Sequence, residues 1–109
     1  MAIAYKVLGQ VATGATTDTT LYTVPSATQV VVSTIVVCNR GNASATYRVA
    51  LRPNAATLAN EHYLAFDVTI AANDTVPLTL GVTCDASDVF TVRASTANLT
   101  FQIYGCEIT

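Results

Sequence analysis

Apolar and polar residues alternate with a period of two along almost the whole chain, and no stretch holds the 3.6-residue period of an amphipathic helix. β-Branched residues and tyrosine fill short runs, and turn-forming residues recur every eight to twelve positions or so, which is the pattern of an all-β domain. Strands are predicted at Ile3–Val11 and at Thr20–Val24, the second stopped by Pro25. Thr28–Asn39 follows and is apolar on both faces, as a central strand covered from two sides would be. Asn39-Arg40-Gly41-Asn42 reads as a turn, because Asn and Gly tolerate positive φ.

Ala45–Arg52 alternates cleanly, with Tyr47, Val49 and Leu51 on one face and Thr46, Arg48, Ala50 and Arg52 on the other. Pro53–Asn60 is Ala- and Asn-rich and reads as a loop with room for one helical turn. Glu61–Ile70 is predicted as a strand with Leu64 and Phe66 on a shared face, and Ala71–Asp74 as a turn. In Thr75–Val82 the residues Val76, Leu78, Leu80 and Val82 are all expected to face inward. Asp85–Asp88 reads as a turn held by aspartate side chains, before strands at Val89–Ser95 and Leu99–Ile108. Seven or eight strands in one domain, residues 1–109, predict a single antiparallel β-sandwich of jelly-roll or immunoglobulin-like type.

Composition narrows the functional classes. Charged residues make up only 11% of the 109 residues, and the net charge of −2 offers no basic field for nucleic acid. The apolar runs Val30–Val32 and Ile35–Cys38 fall far short of a membrane span. Lys6 interrupts the apolar N-terminal stretch, so no secretory signal is read there and synthesis in a cytoplasm is expected. Cys38, Cys84 and Cys106 are an odd set at wide spacing, which fits neither a disulfide framework nor a zinc site and reads as three small apolar residues.

Catalytic chemistry is hard to find. His62 is the only histidine, and its neighbour Glu61 would point to the opposite face of a strand. No nucleophile elbow or glycine-rich phosphate loop occurs, and Asp67, Asp74, Asp85 and Asp88 lack the spacing of a calcium loop. No cofactor or metal is expected. The Asn-x-Ser/Thr triplets at Asn42, Asn73 and Asn98 carry no glycosylation meaning without secretion. Tyr5, Tyr22, Tyr47, Tyr63 and Tyr104 could offer a sugar platform in place of the absent tryptophan, but strand ends and the core are their expected places.

The scarcity of Lys and Glu is informative, because only Lys6, Glu61 and Glu107 are present, whereas a monomer usually covers itself with both. The outward positions carry Thr, Ser, Ala and Gln instead, and sheet edges without lysine invite pairing with another chain. Arg48 and Arg52 share the outer face of one strand, and arginine suits multi-donor pairing across interfaces. Both are therefore expected to engage a neighbouring subunit, with Arg93 as a helper, or else to bond to turns of their own chain.

The segments Leu21–Pro25, Val31–Asn39, Tyr47–Pro53, Ile70–Thr75, Leu78–Gly81, Asp88–Val92 and Phe101–Gly105 together resemble a family of small virion proteins of tailed bacteriophages. The similarity is to proteins from phages of cyanobacteria and other aquatic hosts in particular, and it runs from about Leu8 to Ile108. It transfers no catalytic residue. It implies a β-sandwich structural component of a phage particle: a capsid decoration or cement protein, forming a homo-oligomer such as a trimer and binding the major capsid protein or other virion subunits. A tail, baseplate or fibre accessory protein is the alternative within that class, and a host-surface sugar-binding module is the alternative outside it.

Overall fold

A computed structural model describes the whole of Met1–Thr109 and shows an all-β chain. Its strands are β1 (Ile3–Ala12), β2 (Thr19–Thr23), β3 (Gln29–Asn39), β4 (Ala45–Arg52), β5 (Tyr63–Ile70), β6 (Thr75–Leu78), β7 (Val82–Cys84), β8 (Val89–Ala94) and β9 (Leu99–Ile108). One sheet runs β1-β9-β3-β6, with β7 following β6 along the same side of β3, and the other runs β2-β8-β4-β5. All these pairings are antiparallel.

The pairing is nested. β4 pairs with β5, β3 with β6 and β7, β2 with β8, and β1 with β9, so the chain doubles back on itself as one long hairpin. Successive pairs of that hairpin alternate between the two sheets, which is the wrapping of a jelly roll rather than an immunoglobulin fold.

The core lies between the sheets, where every second residue of the strands points inward. Val30, Val32, Ile35 and Val37 of β3 meet Leu99, Phe101 and Ile103 of β9 and, from the opposite sheet, Tyr47, Val49, Phe90 and Val92. Tyr47 and Phe101 pack edge to face with ring centroids 6.4 Å apart. The longest strands carry irregularities, one of them between Val32 and Thr34 opposite Gly105. A Cβ on Gly105 would sit 2.2 Å from the Val31 carbonyl oxygen, so glycine is what lets β9 and β3 approach there.

Several expectations are revised. β3 is covered on one face only: Val30, Val32, Ile35 and Val37 are buried, while Val31 on the other face is 41% exposed. Thr75–Val82 is not one strand, because the chain breaks after Leu78 and Gly81 takes a φ of +63° that side-chain-bearing residues rarely adopt. Leu80 therefore swings outward and is exposed, whereas Val76, Leu78 and Val82 pack against the core. The split raises the strand count above the expected seven or eight.

Glu61 and His62 lie in a 3₁₀ turn, Asn60–His62, ahead of β5, and the His62 ring Nδ1 accepts the Ala59 N–H at 3.0 Å. The loop Pro53–Asn60 holds one further 3₁₀ turn, Pro53–Ala55. The turn after β3 is fixed by the buried Asn39 side chain rather than by positive φ: its Oδ1 accepts the Gly41 N–H at 2.9 Å, and its Nδ2 donates to the carbonyls of Ala43 and Ala71. The Asp85–Asp88 turn forms as expected, with Asp88 Oδ2 accepting the Asp85 N–H and Asp85 Oδ1 accepting the Ala86 N–H.

Candidate interaction surfaces

Two broad sheet faces are available to other molecules, and they differ in chemistry. On the outer face of β2-β8-β4-β5, Arg48 of β4 lies directly opposite Arg93 of β8. Like charges placed so are unfavourable unless something answers them. Asp67 of β5 and Asp18, just before β2, flank the pair, giving an acidic–basic–basic–acidic row across the sheet.

A bulge in β5 supplies the stronger of these contacts. Two residues, Phe66 and Asp67, lie opposite Arg48 between the paired positions Val49–Ala65 and Tyr47–Val68, and Asp67 takes a φ of 50°. The Asp67 carboxylate thereby accepts two hydrogen bonds from Arg48, at 2.6 Å from Nε and 3.2 Å from a terminal nitrogen. The Phe66 ring, edge-on to Tyr63, lies under the guanidinium at 4.1 Å. The hydrogen bond from Arg48 holds the Asp67 carboxyl below its ordinary range, and the same bond raises the guanidinium.

The three arginines expected at a subunit interface are thus placed differently. Arg48 is engaged within its own chain. Arg93 reaches Asp18 at a looser 3.5 Å, and the partly covered Arg52 has its Nε buried without a hydrogen-bond partner. All three sit on the outer face of one sheet, as the alternation of β4 required for its two arginines. Leu64 and Phe66 share a face of β5 as expected, and it is the outer one, where both are exposed.

The outer face of β1-β9-β3-β6 has the opposite character. Register places Ile3 beside Ile108, Tyr5 beside Cys106 and Val31, and Val7 beside Tyr104 and Thr34, in consecutive rungs. Further along come Gln10 beside Gln102 and Val36, with Pro77 beyond, and then Ala12 beside Thr100, Cys38 and Thr75. No side chain in these rungs is charged. Tyr5 is 84% exposed, and Ile3, Val7 and Val31 are each about half exposed. A shallow groove of about 470 Å³ runs beside Tyr5, lined by Lys6, Val31, Ser33, Tyr104, Gly105 and Cys106.

One polar cluster lies between the sheets at an open end of the sandwich. Lys6 Nζ is 2.6 Å from Glu107 Oε1, and the Tyr22 hydroxyl donates to Glu107 Oε2 at 2.6 Å, which ties β1 and β9 to β2 of the other sheet. These bonds, the one to Lys6 foremost, hold the Glu107 carboxyl below its ordinary range, while burial and then Glu107 itself push the Tyr22 phenol up. The cysteines are all free thiols, and Cys84 is buried with its thiol pushed up to about 11. No group of three His, Cys, Asp or Glu side chains converges as metal ligands.

Sequence reasoning singled out one part of the surface and missed another. It marked the arginines by charge and assigned Val31 and Val36 to a doubly covered strand. The uncovered apolar face becomes visible only when Tyr5, Cys106 and Val31 are seen to share a rung. The surplus of apolar residues on both faces of Thr28–Asn39 was the available signal. No protein-family model matches the chain, and no curated protein matches it significantly.

Proposed function

We propose that this chain is a non-enzymatic structural component of a tailed-phage particle, a decoration or cement protein seated on the outer capsid lattice and bound to the major capsid protein or neighbouring virion subunits. The observation that carries this reading is the outer face of β1-β9-β3-β6, whose rungs hold no charge and leave Ile3, Tyr5, Val7 and Val31 exposed, because an exposed apolar patch of this kind marks a surface that binds other molecules. Two features lend further support. The resemblance runs through nearly every strand, and jelly-roll wrapping is one that capsid domains share, which is an analogy of fold.

A cement protein bridges subunits, so its association free energy adds to the resistance of a shell filled with DNA. Many weak contacts act together here, since tethering turns later contacts into intramolecular ones. Virions lacking the protein should assemble and package DNA but rupture at lower temperature or on osmotic shock, and intact virions should carry hundreds of copies. A handful of copies per particle, with robust heads and failed attachment, would replace this reading with a tail or fibre role.

A further inference from the structure

We propose that the outer face of β1-β9-β3-β6 is a self-association surface on which a second copy of this chain packs face to face. The proposal rests on the reading above that this face is covered in the working assembly, and it names the occupant.

Three observations select a copy of the chain over another partner. The first is charge. The rungs of this face carry no ionised side chain, and Lys6, the one charged residue lining the groove, is answered within its own chain by Glu107 at 2.6 Å, so two copies can meet there with no charge left unpaired. The outer face of the other sheet instead carries Asp67, Arg48, Arg93 and Asp18, so packing a copy there would take four charged side chains out of water. The second is area. Strands of ten residues are about 34 Å long, and four strands about 4.8 Å apart cover about 19 Å, giving a footprint of roughly 650 Å² before side-chain relief. A stable interface of ordinary size buries about 800 Å² on each partner, so this one face is nearly sufficient.

The third is shape. Tyr5 stands proud of the sheet beside that groove. In a two-fold contact every contact is made twice in reciprocal form, so a projecting ring and a groove on the same face are self-complementary. The ring of one copy fills the groove of the other, twice. Aromatic anchors in such pockets carry most of the binding energy of an interface. The Tyr5 hydroxyl keeps hydrogen-bonding partners at the polar edge supplied by Ser33.

Sedimentation equilibrium of the intact protein, from about 1 to about 100 µM, tests this. The wild-type chain should be at least dimeric. Tyr5→Glu and Val31→Glu should each weaken association by roughly 30-fold or more, with the circular dichroism spectrum and melting temperature retained. Thr57→Glu, on the distant Pro53–Asn60 loop, should change nothing. Tyr5 lies on an edge strand and is almost fully exposed, so its variant keeps the test decisive if Val31→Glu fails to fold. A wild-type monomer at 100 µM overturns the proposal, as does an oligomer that survives Tyr5→Glu. Binding to purified virions separates the two readings. A monomer that binds them through this face, and loses binding on Tyr5→Glu, shows that the face docks on another virion protein and overturns the second copy as occupant. A chain that dimerises through this face but never binds virions leaves self-association standing and removes the particle role.

Discussion

At the scale of single residues, Arg48 shows how a side chain marked by type acquires its role from a partner. The alternation of β4 places it outward, but its engagement depends on the β5 bulge that brings Phe66 and Asp67 to one position. An Arg48→Glu, Arg52→Glu double variant therefore sets a carboxylate against Asp67 and should lower the melting temperature. Arg52→Glu alone should leave the Asp67 contact and most of the stability intact. Equal melting of the double variant and wild type in a thermal scan would contradict the pairing. Gly105 makes the complementary case, since its importance lies in having no side chain. Gly105→Ala drives a methyl into the Val31 backbone, where neither strand can yield without losing ladder bonds, and should cost about 3 kcal/mol or more in urea titrations. Gly14, whose added Cβ would meet only the Thr17 side chain at 3.7 Å, should tolerate alanine within about 1 kcal/mol.

At the scale of elements, the test lies in Thr75–Cys84. Leu78 packs against the core and Leu80 does not, although period two assigns both to one face. Leu78→Ala should cost about 2 kcal/mol in chemical denaturation, and Leu80→Thr should stay within about 0.5 kcal/mol. Similar losses for both would restore a continuous strand. The contrast explains what was legible. Strand existence was readable because β-branched runs and alternation are local properties, and Ala45–Arg52 and Leu99–Ile108 stand where alternation placed them. The Asp85–Asp88 turn was readable because its hydrogen bonds run between neighbours. The Leu80 excursion was not, since alternation does not reveal that Gly81 adopts positive φ. The apolar outer face was misread because a valine on an uncovered sheet face and a valine that faces a core have the same pattern. Which strands are neighbours, and so which of Tyr5, Cys106 and Val31 share a rung, depends on pairings between residues far apart in sequence.

At the scale of the whole molecule, the few titratable groups whose ionisation is shifted by folding set how stability depends on pH. On the acid side, Lys6 and Tyr22 hold Glu107 below its ordinary value, and Arg48 does the same for Asp67. A depressed carboxyl stabilises the fold above the unfolded pKa, and that contribution disappears as pH falls through the folded value. Stability should therefore decline below about pH 4.3, the ordinary glutamate value. On the alkaline side, burial, with Asp88 adding to it, moves the Cys84 thiol from 9.0 to about 11, and Tyr22 is raised as well. Here the unfolded chain ionises first, so the contribution is complete below pH 9 and is lost as pH rises towards 11. The melting temperature should thus form a plateau between about pH 5 and 8.5, with a fall on each side. Glu107→Gln should flatten the acid limb while keeping the Tyr22 hydroxyl bonded. Cys84→Ala should lower the plateau slightly and flatten the alkaline limb, because the buried thiol that resists ionisation is gone. Thermal melts followed by circular dichroism from pH 3 to 11 check both limbs. An alkaline limb that persists unchanged in Cys84→Ala and also in Tyr22→Phe would show that neither buried group governs it.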